Sequence, residues 1–347
     1  MMHRINLFLL VLLTCTAAPL RAEKLIPTEQ VSTYFRSLVA EPGDDLAFEA
    51  DHLLNQYTSD ALRAYQRQDF EACAQFVESG LAQTPLRERD RPLLLLALCR
   101  YEMGRIESAH NAALRSLHLR GSSSDALFVL GCLALGAKDF ERAEEYLHEA
   151  VWFNRFHVFS KSRAFSKYGE ALLGQDKREE AKRSLQEAQK PDSAEDTTPK
   201  SSPLLLAATY LDEGDYPSVI RILSSKRSEQ ENQEKSDADL GIQYLSNLFL
   251  AKALFETRTN DNPTGQLTKA LEYLNRIKES PATPERRQAF LRLYLRVLVY
   301  LGKQEEAEST LALAQKEFPN DEIVTALRSQ LELEREEREE AESAKSL

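Results

Sequence analysis

The sequence predicts an all-α chain built as a repeat array, and three observations predict it. Helix breakers are sparse, with 12 Gly and 13 Pro in 347 residues. Ala, Leu, Glu, Lys, Arg and Gln dominate, and these lose little rotamer freedom in a helix. A small or apolar residue also recurs at Cys73, Ala109, Ala143, Ala181, Val219, Ala270 and Ala307. Its steps are 36, 34, 38, 38, 51 and 37 residues, so one supersecondary unit repeats along the chain. With 42% hydrophobic residues there is ample material for a core, which excludes wholesale disorder. Lys plus Arg number 44 against 55 Asp plus Glu, a net charge of −11. That acidic balance argues against a dedicated nucleic-acid binder, which needs basic surface to displace counterions.

The N-terminus reads as an export signal. His3 and Arg4 precede an apolar run from Ile5 to Leu13, and small residues lead to Ala22. Positive end, short apolar run and small-residue cleavage site are the parts of a secretory signal. Residues 1–22 are therefore expected to be removed, and 23–53 to form an N-terminal helical segment. The run is too short for a membrane-spanning helix. The alternatives are an uncleaved interfacial helix and lipidation at Cys15, whose preceding Leu12-Leu13-Thr14 is close to a bacterial lipobox.

Residues 54–320 carry the repeats. In the clearest copy, Leu130 to Ala143, an apolar helix ends in a tight turn and a second helix begins with an aromatic and a small residue, with Leu127, Leu130 and Leu147 as large apolar filling. Gly131, Ala143 and Ala150 are the small residues of that copy. Two helices approach closely only where side chains are small, so packing selects Gly, Ala, Ser or Cys there. Pro85 and Pro319 are placed to stop second helices. Period, small-residue positions and prolines together resemble the tetratricopeptide repeat family over most of the chain. The resemblance implies a right-handed α-solenoid of about seven helix pairs.

Three polar stretches interrupt the regular spacing: 190–199, 226–235 and 258–265. They leave open two sub-blocks, 54–190 and 200–320, or one continuous solenoid with decorated loops. Residues 321–347 read as a C-terminal capping helix and charged tail, with Ile323, Leu327 and Leu331 as its apolar stripe.

Signatures of chemistry are missing from the sequence. There is no CxxC, HExxH, GxSxG, Walker-type loop or GxGxxG, so no catalytic, cofactor-binding or metal-ligating residue is assigned. Glu144 and His148 share a helix face, an ordinary surface pair. Cys73, Cys99 and Cys132 fall on or beside packing faces. Cys99 and Cys132 occupy nearly equivalent places on neighbouring first helices, whose axes pack about 8–10 Å apart. A bridge needs Cα atoms within about 7 Å, so three free thiols are expected.

The expected function is a non-enzymatic protein–protein interaction scaffold. The resemblance implies a concave groove lined by first helices, with Arg91, Leu94, Leu98, Tyr101, Asp125, Phe128, Cys132, Leu135, Arg163, Ser166, Glu170, Leu204, Ala208 and Leu211 facing a protein or peptide partner. The Lys and Asn pair that chaperone-binding members use to clamp a terminal carboxylate is absent, and Arg163 with Lys167 matches only part of it. A second candidate is the aromatic concentration Trp152, Phe153, Phe156, Phe159, Phe165 and Tyr168. It reads either as filling for a long connection or as a docking patch around Trp152 and Phe156. Signal sequence and thiols suit a bacterial periplasm, with an outer-membrane lipoprotein or a secreted protein as alternatives. An accessory subunit of an envelope enzyme, for polysaccharide synthesis or outer-membrane assembly, is the competing class.

Overall fold

The computed structural model describes residues 57, 59–83, 90–156, 159–190, 201–225, 237–258, 263–280 and 282–345. The expected signal sequence, Cys15, the 23–53 segment, Pro85, His157 and most of the three polar stretches lie outside the described residues.

The described chain is all helix. Helix α1, ending at 66, is followed by α2 (Phe70–Gln83), α3 (Asp90–Glu102), α4 (Ile106–Leu119), α5 (Ser124–Gly136), α6 (Phe140–Phe153), α7 (Lys161–Gly174) and α8 (Arg178–Glu187). Then come α9 (Ser201–Glu213), α10 (Tyr216–Ser225), α11 (Asp237–Glu256), α12 (Pro263–Asn275), α13 (Pro284–Tyr300), α14 (Gln304–Glu317) and α15 (Glu322–Lys345). These form an all-α solenoid of helix pairs with one helix after the last pair. Two compact units divide at Leu206 and Ala207, within α9.

Six of the turns inside pairs are built alike. Gln68, Gly104, Lys138, Asp176, Gly214 and Gly302 all adopt positive φ, between 60° and 79°. Each stands two residues before the second helix of its pair. The N–H of the next residue reaches back five residues to a first-helix carbonyl, as from Asp69 to Ala64 and from Lys303 to Leu298. This left-handed closure satisfies carbonyls that a helix end leaves open. In three turns an aspartate follows and its carboxylate accepts from the second helix: Asp69 from Ala72 N–H, Asp139 from Arg142 N–H and Asp215 from Ser218 N–H.

The spacing series read from the sequence marks the core. Cys73, Ala109, Ala143, Ala181, Val219, Ala270 and Ala307 are all fully buried. Close approach is sharpest in the first unit. A Cβ on Gly131 would lie 2.5 Å from Leu147 Cγ, and one on Gly169 2.6 Å from Leu185 Cγ. First helices of successive pairs also touch: α3 with α5, α5 with α7 and, in the second unit, α11 with α13.

Two expectations are corrected here. Cys73 and Cys99 are not free thiols but form a disulfide between α2 and α3, with Cα atoms 6.6 Å apart. The small residues that let a second helix approach the next first helix bring these two within bridging distance. Cys132 on α5 is a buried free thiol. The apolar stripe of α15 also begins one residue later than expected, at Val324 in place of Ile323. Val324, Leu327 and Leu331 are buried against α13 and α14, whereas Ile323 is 41% exposed. Asp321 sets that register, accepting from Ile323 N–H (3.0 Å) and Val324 N–H (3.3 Å). Its carboxylate also takes Arg292 Nε at 2.6 Å and Gln288 Nε2 at 2.9 Å.

Candidate first-helix faces and the aromatic edge

Helices α3 and α5 are apolar almost all round, and a helix of that composition is covered on every side. Of the expected groove residues, Leu94, Leu98, Tyr101, Asp125, Phe128 and Cys132 are accordingly buried. Leu204, Ala208 and Leu211 on α9 are buried too, and so are Ser166 and Glu170 on α7. Arg91, Leu135 and Arg163 are half-buried and keep solvent-facing area. Glu170 is paired with Lys167 at 3.0 Å, which occupies the lysine that sequence comparison singled out. The inner face of the first unit is thus mostly core, edged by a few polar side chains.

The aromatic concentration separates into an inside and an outside. Phe159 is buried with its ring 4.3 Å from that of Phe128. Its N–H donates to the buried Asp125 carboxylate at 3.1 Å, and Arg155 N–H donates to Ser124 Oγ at 2.9 Å. These bonds tie the long connection to the start of α5, so this part is filling. Phe156 is half-buried beside that core. Trp152 points the other way and is 77% exposed. Asn154, at φ 49°, ends α6 in the left-handed region and divides the two groups. The His148 ring stacks beside Trp152 at 6.4 Å and lies 5.8 Å from Tyr168. Glu144, four residues before His148, instead accepts from Lys177 and Gln175, both at 2.6 Å. Burial, then Glu144 and Glu180, hold the Tyr168 hydroxyl above its ordinary range.

Sequence reasoning missed a polar strip on the first-helix face of the second unit. Phe255 on α11 is buried and meets Tyr300 of α13 edge-on, with centroids 5.4 Å apart. The Arg258 guanidinium lies 4.1 Å from the Phe255 ring centre and 4.5 Å from that of Tyr300. The Arg296 guanidinium lies 4.5 Å from the Phe255 ring centre. Lys252 sits one turn before Glu256 on α11. Burial pushes its ammonium below the ordinary lysine range, Glu256 and Asp212 oppose that, and Arg296 adds to it. Tyr216 is raised by burial and by Glu256, with Arg296 opposing. The only signal in the sequence was spacing: Lys252 and Glu256 are one turn apart, as are Arg296 and Tyr300.

No protein-family model matches the chain, and no curated protein matches it. Solved structures do. The fold is similar to that of PilF from Pseudomonas aeruginosa, with a TM-score of 0.53 at 18% identity over 70% of this chain and 98% of that one. It is also similar to a tetratricopeptide repeat protein from Parabacteroides merdae, with a TM-score of 0.49 at 14% identity over 81% and 99% of the two chains. The chain has a tetratricopeptide-like fold. Among the described residues, no helix is long and apolar enough to cross a membrane.

Proposed function

We propose that this protein is an exported, non-enzymatic scaffold that holds a protein partner on the first-helix faces of its solenoid, in a bacterial cell envelope. The observation that carries the binding role is the polar and aromatic strip on α11 and α13, where half-buried charges interrupt an otherwise apolar surface. A packed core gains little from such charges, and a binding surface uses them for register and specificity. Arg91, Leu135 and Arg163 are the corresponding accessible positions of the first unit, and Trp152 with Phe156 is the outer alternative. Export is supported by the N-terminal signal pattern. The free thiols read from the sequence no longer count toward it; the Cys73–Cys99 disulfide takes their place, since disulfides persist in oxidising compartments and are rare in the cytosol.

Crosslinking capture from native envelope extract tests this reading. Leu94 and Phe128 are unsuitable as controls, because a charge at either buried position would unfold the pair. Leu135→Glu, Arg163→Glu and Arg296→Glu are the appropriate variants. A stoichiometric partner lost in one of them supports the scaffold. A partner lost only with Trp152→Glu moves the interface to the outer edge, and no partner at all overturns the reading. Recovery of an enzyme whose activity depends on this chain would place it as an accessory subunit.

A further inference from the structure

We propose that Arg258, which lies over the Phe255 and Tyr300 rings, and Arg296, which lies over Phe255, form a binding site for the carboxylates of an acidic peptide segment. The proposal deepens the scaffold reading and rests on it for the nature of the partner. It starts from what a guanidinium requires. The group carries five N–H donors in a planar fork that matches a carboxylate bidentately. Elsewhere in the molecule, several cations find a carboxylate at short range. Arg100 meets Glu78 at 2.7 Å, Arg105 meets Glu71 at 2.7 Å and Arg292 meets Asp321 at 2.6 Å. Arg258 has no such carboxylate among the described residues. It spends one donor on the Phe255 carbonyl at 2.5 Å. Arg296 has Glu256 only at 3.9 Å, the outer limit of an ion pair.

The rings supply what those cations lack in ion pairing. Stacking on an aromatic face holds a guanidinium in one plane and leaves its edge donors free. A side chain already held in place loses less entropy when a ligand arrives, so the site is preorganised. Both guanidiniums contact the Phe255 ring, so the two cations stand close together. Tyr300, 53% exposed, adds an apolar rim for the methylenes of an acidic side chain. Charge adds selectivity. The chain as a whole carries −11, so an acidic peptide is repelled by most of the surface and drawn to this cationic place. Glu256, 3.9 Å from Arg296, bounds the site on one side.

The site is assigned to acidic side chains, and the test separates these from a chain terminus. Fluorescence anisotropy is measured on the full chain with three labelled octapeptides. One is a C-terminal amide carrying several glutamates. The second has glutamines in their place, and the third is the glutamine peptide with a free terminal carboxylate. The glutamate peptide is expected to bind at least about tenfold more tightly than its glutamine counterpart. Arg258→Gln should lose that margin, and Arg258→Lys should lose much of it because the planar stack goes while the charge stays. Helicity and melting temperature identify a variant that fails to fold. Arg258 lies past the end of α11, so its substitution is the safer of the two and decides the matter if Arg296→Gln unfolds. Binding by the free-carboxylate peptide alone overturns the assignment to an acidic segment. Equal binding of all three peptides, or native affinity in Arg258→Gln, overturns the proposal. Failure here with a captured partner intact leaves the scaffold reading standing. Peptide binding without any captured partner does the reverse.

Discussion

The two units build the same helix pair by different means. In the first, Gly131 and Gly169 lie seven residues before their turns and let Leu147 and Leu185 pack onto bare backbone. In the second, Leu295 occupies the same place before the Gly302 turn, and it is fully buried. The first unit adds a covalent tie, Cys73–Cys99, and closes its inner-face lysine with Glu170. The second has a 20-residue and a 17-residue first helix, an aspartate cap under its last helix, and arginines stacked on rings. Uniform close packing leaves little surface for a ligand, whereas longer first helices leave room for groups the core does not consume. The comparison predicts that the first unit is the more sensitive to loss of its cross-link or its tight contacts, and the second to loss of single polar contacts.

The largest effect falls on the first unit. Breaking Cys73–Cys99, by reduction or by Cys73→Ser, should cost about 3 kcal/mol, because the bridge closes a chain segment of 26 residues. Hydrogen exchange should accelerate at α2–α4 amides and stay unchanged at α13–α15. Thiol counting by mass spectrometry on the denatured, unreduced chain should find Cys132 alone free among these three. Three free thiols would return the chain to the expectation from sequence and erase the first contrast between the units.

Next is Asp321 in the second unit. Burial by itself would raise its carboxyl. Hydrogen bonds from Arg292, Gln288 and the Val324 N–H outweigh that and hold it below the usual carboxylate range. A depressed pKa contributes stability above the unfolded value of about 3.9, and the contribution is lost as pH falls through the folded value. Asp321→Asn should cost about 2 kcal/mol at neutral pH, and its difference from the parent should vanish in strong acid. A difference that persists in acid would assign the effect to packing rather than to the charge.

Smaller still is Gly131→Ala, expected to cost about 1.5 kcal/mol by forcing Leu147 off its seat. The same residues show how much the sequence disclosed. The series Cys73, Ala109, Ala143, Ala181, Val219, Ala270, Ala307 was legible because repeat packing is local and periodic, and all seven are buried. What was not legible depends on one turn angle or on contacts far apart in sequence. Ile323 and Val324 differ by one residue, and only the bonds from Asp321 decide which of them faces α13 and α14. Trp152 and Phe159 belong to one aromatic run, and the left-handed Asn154 separates outside from inside. Arg258 meets Tyr300 across 42 residues, a distance no spacing rule covers. The disulfide joins a second helix to the next first helix, a pairing hidden from a comparison of first helices alone.

The smallest effect tests whether the shared turn is equivalent in both units. Lys138 and Gly302 occupy the same left-handed place, at φ 60° and 67°. Lys138 is exposed, so its side chain contributes little there while its Cβ strains the backbone. Lys138→Gly relieves that strain but also frees the unfolded chain, and the two nearly offset, leaving a gain of about 0.5 kcal/mol. Gly302→Ala meets nothing within 4 Å, so its cost is conformational alone, about 1 kcal/mol. Opposite signs from one turn position in the two units, read by chemical denaturation with unchanged m-values, would show that the turns are interchangeable and that the units differ only in packing and polar contacts. Equal signs would mean that the Lys138 stem packs usefully along α6, and the turn itself would then join the list of differences.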